Sequence, residues 1–154
     1  MYKKRKSLLL RIAAVIVMIA MLTPVTADAE SVVTVQPFAS SYLRSYSAYI
    51  HLPGDGEVRV YFDVLGTGYM DELGALSITI YECSTNSSNL DDWTWIQTFT
   101  HDTTPGMLSY NDNFHGSYVS CNGYAGRYYK AYVCVWAGKD GKGDTRYFWT
   151  SASH

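Results

Sequence analysis

Four histidines, His51, His101, His115 and His154, are spread along the chain. None has the spacing of a metal motif such as HExxH, in which two imidazoles one helical turn apart reach the same ion. His101-Asp102 and His115 flank one polar stretch and could approach one another, but a solvated loop histidine is the simpler expectation. No serine occupies a G-x-S-x-G elbow, the strained turn that presents a nucleophilic hydroxyl, and a triad defined by geometry alone leaves no trace in composition. Gly138–Thr145 (GKDGKGDT) has the glycines of a phosphate loop, yet Asp144 stands where that loop needs lysine, and its charge repels phosphate. Gly66-Thr67-Gly68 fails as a dinucleotide fingerprint because Asp71 occupies the third glycine position.

Carboxylates come in close sets, Asp71-Glu72, Asp91-Asp92, and Asp140 with Asp144. Extracellular calcium modules bind through such oxygens, but none of these has calcium-loop spacing, so they read as turn acids. No metal and no cofactor is expected. The three cysteines, Cys83, Cys121 and Cys134, form no CxxC pair, and their odd number leaves at least one free or bonded between molecules. If the strands around Cys121 and Cys134 form a hairpin turning near Tyr124, the two thiols stand roughly 20 Å apart along the ladder, beyond the reach of a disulfide.

The most suggestive pattern is aromatic. Tyr128, Tyr132 and Trp136 recur every fourth residue, which on a strand puts them on one face about 13–14 Å apart from first neighbour to next. Tyr147 and Trp149 are placed to join them from an adjacent strand. Such rings either lie in the core or form a flat stacking platform for sugars or for apolar protein anchors.

These side chains must be positioned by strands, because the composition is β in character: 14 tyrosines and four tryptophans suit a pleated surface, and 12 glycines supply turns. Glu57–Leu65 alternates, with Val58, Val60, Phe62 and Val64 facing inward; Leu76–Glu82 does the same with Leu76, Ile78 and Ile80. Tyr42–Leu52 presents Tyr46, Ala48, Ile50 and Leu52, and the turn signal Pro53-Gly54-Asp55-Gly56 joins it to the next strand as a hairpin. Aligning the apolar faces pairs Leu52 with Val58, Ile50 with Val60 and Ala48 with Phe62, a register that calls for a bulged turn. Val32–Gln36 is a short strand and Trp93–Thr100 a strand of undecided facing. Residues 101–114 read as a long connection, and His115–Cys121 as a strand with Val119 inward. Arg127–Ala137 is apolar on both faces, as a central strand is, and turns through Gly138–Gly143 into Asp144–Ser151. About eight strands without helical periodicity argue for an all-β, antiparallel β-sandwich, immunoglobulin- or fibronectin-like, with a small β-barrel as the alternative.

The N-terminus reads as a signal peptide, residues 1–29. Lys3-Lys4-Arg5-Lys6 precedes the apolar run Ile12–Leu22, and Ala27-Asp28-Ala29 supplies the small residues that a signal peptidase reads. A spanning helix needs about 20 apolar residues, and extending this run backwards meets Arg11. Cleavage would leave residues 30–154 as a single domain that is secreted and extracellular. It would also remove five basic residues and Asp28, moving the net charge from −2 to −6. That balance disfavours nucleic acid and anionic membrane as partners of the mature form.

Taken together, Gly54-Asp55-Gly56 with VRVYFDVLGTG, Met70–Ala75 (MDELGA) with LSITIYE, Trp93-Thr94-Trp95 with IQTF, and Gly126–Ala131 (GRYYKA) running through VCVWAGKDGKGD to Arg146-Tyr147 make the chain resemble a family of small secreted proteins of Gram-positive bacteria. The resemblance implies a signal peptide and a β-sandwich, and brings no activity, ligand or catalytic residue with it. The functional expectation is a secreted, non-enzymatic binding or interaction domain, with carbohydrate or a cell-surface protein as partner through Tyr128, Tyr132, Trp136, Tyr147 and Trp149. The alternative is a secreted antagonistic, bacteriocin-like protein; a hydrolase without a recognisable motif comes third. Oligomeric state is left open.

Overall fold

The computed structural model describes residues 34–36, as backbone, and residues 40–154 in full. The expected signal peptide, and the first part of the strand expected over Val32–Gln36, lie outside the described residues. Seven antiparallel strands build one sheet: β1 (Thr34–Gln36), β2 (Leu43–Gly54), β3 (Glu57–Cys83), β4 (Thr94–Thr100), β5 (Leu108–Asn122), β6 (Tyr128–Lys139) and β7 (Lys142–Trp149). The protein is all-β, and the sheet curls into a half-barrel.

The 27-residue β3 organises the sheet. The two strands expected over Glu57–Leu65 and Leu76–Glu82 are its two ends, joined through a bent centre at which pairing with β5 is interrupted between Leu65 and Met70. Along one edge, β3 pairs first with β2 and then with β6; along the other, first with β5 and then with β4. Gly66 and Gly68, which lie between the two expected strands, let one strand bend without ending it. The inward parity holds over Val58, Val60, Phe62 and Val64, all at most 1% exposed. Beyond the bend it switches to the odd positions Leu73 and Ala75, then returns to the even positions Ile78 and Ile80 across a register shift between Ala75 and Ser77. Leu76 sits in that shift and is only half-buried, because one extra residue reverses which side chains face the core.

The β2–β3 hairpin pairs Ala48 with Phe62 and Ile50 with Val60, as the apolar alignment required, and the register shifts between His51 and Gly54. Asp55 and Gly56 make the turn with φ of 55° and 75°, a left-handed pair that matches the twist of the flanking strands. Asp140-Gly141, at 53° and 71°, makes the β6–β7 hairpin in the same way.

Two expectations change. The connection read over residues 101–114 ends at Met107, because β5 already begins at Leu108; the polar run Tyr110–Asn113 belongs to a strand with an exposed face. Gly74 makes this possible, since any Cβ there would collide with the Met107 carbonyl, which instead accepts the Ala75 N–H at 2.9 Å. Second, β5 and β6 form no hairpin with one another; they lie on opposite edges of β3, Cys121 opposite Val58 and Cys134 opposite Ser77. All three cysteines are buried free thiols.

The two halves of the curled sheet enclose the core, with the Tyr46 and Phe148 rings in contact at 5.0 Å. Polar ties hold β2 to the far edge: the Tyr42 N–H donates to Asp144 Oδ2 at 3.1 Å, and the Ser153 hydroxyl donates to the Ile50 carbonyl at 3.3 Å.

Candidate functional site

Cross-strand register collects aromatic side chains on the outer face of the second half of the sheet. Alternation sends Val133 and Val135 of β6 into the core and leaves Tyr128, Lys130, Tyr132, Cys134 and Trp136 on the opposite side. Tyr132 is flanked by Thr79 of β3 and Trp149 of β7, Lys130 by Tyr81, and Cys134 by Tyr147. On β4, Trp95 stands opposite Tyr81.

Of the five aromatic residues singled out in the sequence, three meet. The Tyr132 ring lies 4.9 Å from Trp149 and 5.9 Å, nearly parallel, from Tyr147. Tyr147 is 61% and Tyr132 36% exposed, while Trp149 is half-buried. The other two stand apart. Tyr128 is stacked against His154 at 4.4 Å, and Trp136 folds over its own hairpin, its indole occupying the space that Cβ atoms on Gly138 and Gly143 would fill. Trp136 also lines an open hollow of about 250 Å³ with Asp71, Glu72, Lys139 and Lys142, and its buried Nε1 has no hydrogen-bond partner.

At the centre of the cluster is Lys130. Its Nζ lies 4.0 Å from the centre of the Trp93 ring and 4.8 Å from that of Trp149, so two indole faces solvate the ammonium. The residue is only 8% exposed, and burial lowers its pKa from the ordinary lysine value. Among the described residues no carboxylate forms an ion pair with it. Trp93 is itself anchored, its Nε1 donating to the Ser87 carbonyl at 3.0 Å, and Tyr81 packs against Trp149 at 5.3 Å. Beneath Tyr147, burial raises the pKa of Cys134, and hydrogen bonding to that thiol raises the pKa of the Tyr147 phenol.

A second aromatic group, absent from the sequence expectation, crosses the outer face of the first half of the sheet. Tyr49, Tyr61 and Tyr118 come from β2, β3 and β5, directly opposite one another, with successive ring centres 5.1 Å apart. Arg59 lies over Tyr118 and makes a bidentate pair with Glu57 at 2.9 and 2.8 Å, which lowers the Glu57 pKa. The ladder is widely separated in sequence, and only strand register reveals it. Tyr81, by contrast, carried a signal, as an outward position of the alternating stretch Leu76–Glu82, and Lys130 is the one charged residue inside the apolar stretch Tyr128–Ala137.

The remaining polar candidates serve the fold. His115 Nε2 meets the Gly106 carbonyl at 2.8 Å, and His101 pairs with neighbouring Asp102 at 3.6 Å. Asp71 accepts the Asp140 N–H at 2.7 Å, and Asp92 accepts from the Ser87 hydroxyl. Hydrogen bonds from Ser40 and Tyr42 hold Asp144 below the usual carboxylate range. Burial pushes the Cys121 thiol up to about 11, which leaves it almost wholly protonated at neutral pH. Among the described residues no three His, Cys, Asp or Glu side chains gather as a metal site. Comparison with known proteins finds no matching family model, no similar curated protein and no similar solved structure.

Proposed function

We propose that the domain is a secreted, non-enzymatic binding module whose outer aromatic face, centred on Tyr132, Tyr147 and Trp149, stacks against sugar rings. The observation that carries this reading is the partly exposed, nearly parallel Tyr132–Tyr147 pair beside Trp149, held on β6 and β7, which pair without a register shift. Flat rings on paired strands lose little freedom on binding, and their faces suit the C–H face of a pyranose. Export through residues 1–29 would place this face among extracellular glycans, and the resemblance to small secreted Gram-positive proteins agrees with that setting. Of the finer architectures expected, the gathering of all described strands into one sheet through β3 supports the barrel-like one, because a sandwich divides its strands between two sheets.

The test is affinity electrophoresis of the native protein and of Tyr132→Ala/Tyr147→Ala through gels containing neutral or acidic polysaccharides. The reading expects retardation by at least one polysaccharide, lost in the double variant while its thermal melt is retained. Free migration of the native protein in every gel, or equal retardation of the variant, would overturn it.

A further inference from the structure

We infer that the sugar-binding face is selective for acidic glycans, with the ammonium of Lys130 receiving the carboxylate of a uronic-acid residue while the neighbouring ring stacks on Tyr132 and Trp149. This rests on the proposed binding role of the same face and adds the class of ligand. Lys130 is a cation at the centre of an aromatic cluster in a chain of net charge −2, and no described carboxylate pairs with it. Indole faces solvate an ammonium through their quadrupoles but accept no strong N–H hydrogen bond, so its donors stay unmatched by any described acceptor. An anion arriving from outside would supply both the opposite charge and the acceptor, in a setting partly removed from water where a charge-assisted bond is strong.

The outer face of the first half makes the same point by contrast. There Arg59 is neutralised at close range by Glu57, and its cation calls for nothing further. A single ammonium also favours a carboxylate over a phosphate polymer: one charge meets one charge, whereas phosphate recognition is better served by the bidentate fork of arginine, and a net-negative protein repels a dense polyanion.

The experiment is isothermal titration of the native protein with oligogalacturonate, with its fully methyl-esterified form and with a glycerol-phosphate oligomer. The ester keeps the sugar backbone and removes the charge. We expect the free acid to bind at least about ten-fold more tightly than the ester, the size of one lost charge-assisted hydrogen bond. That preference should weaken with added salt, and the glycerol-phosphate oligomer should bind worse than the acid. Lys130→Arg should retain the preference and Lys130→Met should abolish it without losing ester binding. Equal affinity for acid and ester, still dependent on Tyr132 and Tyr147, would overturn the acidic selectivity and leave the binding role standing. Equal or tighter binding of the phosphate oligomer would overturn the carboxylate assignment. Binding to none of the three, with retardation by other, neutral polysaccharides, would overturn the inference alone. The absence of all glycan binding would remove both.

Discussion

The two outer faces of the half-barrel are built from the same kinds of residue and differ in what they leave unsatisfied. On the first half, Tyr49, Tyr61 and Tyr118 stack on one another across three strands, and the nearby cation is paired with Glu57. Both faces keep ring surface in water, Tyr118 at 51% on the first half and Tyr147 at 61% on the second, but on the second half Lys130 has indoles for neighbours and no described counter-charge. Aromatic content alone therefore does not mark a binding surface. What separates the two faces is whether the charge beside the rings has already found its partner within the fold.

Substitutions ranked by expected effect on stability sharpen this contrast. Trp93→Ala should be the most damaging, costing about 3–5 kcal/mol in urea unfolding, because the indole is buried, anchored to Ser87 and packed against one side of the Lys130 ammonium. A loss under about 1 kcal/mol would mean that the cluster is looser than a folded core. Tyr61→Ala, in the middle of the ladder, removes the contacts with Tyr49 and Tyr118 and an edge contact with His51, and should cost about 2–3 kcal/mol. Tyr147→Ala should cost less than about 0.5 kcal/mol, as expected of an exposed side chain. Should Tyr61→Ala and Tyr147→Ala unfold at the same urea concentration, the two faces do not differ as described.

A smaller effect lies at the closure of the half-barrel. Asp144 has its folded pKa depressed by hydrogen bonds from Ser40 and Tyr42. A depressed folded pKa adds stability above the unfolded value, near 3.8, which is lost as pH falls through the folded value. Thermal melts from pH 6 down to 2 should therefore show native protein losing its advantage over Asp144→Asn as the pH falls below about 4. A constant difference across that range would show that Asp144 does not titrate in this role.

Local alternation made much of this legible in advance. The inward faces of β2 and the first half of β3, and the β2–β3 register at Ala48–Phe62, follow from period-two patterning with turn residues at fixed places, whereas β6, apolar on both faces, left open which side of it faces the core. The failures came where pairing partners are distant in sequence. Glycines 66 and 68 lie between two stretches that read locally as separate strands, yet four neighbouring strands hold β3 continuous through its bend. Equal spacing put Trp136 with Tyr132, whereas Gly138 and Gly143 give its indole a bed on its own hairpin. The Tyr49–Tyr61–Tyr118 ladder is set by register among three strands and has no local signature.

The most direct test is two-dimensional NMR of aromatic side-chain resonances during titration with oligogalacturonate. Shifts confined to Tyr132, Tyr147, Trp149 and Trp93, with Tyr49, Tyr61 and Tyr118 unmoved, are the predicted result. Shifts concentrated on the Tyr49–Tyr61–Tyr118 ladder, or none on either face, would contradict the assignment of binding to the face whose charge is left unpaired.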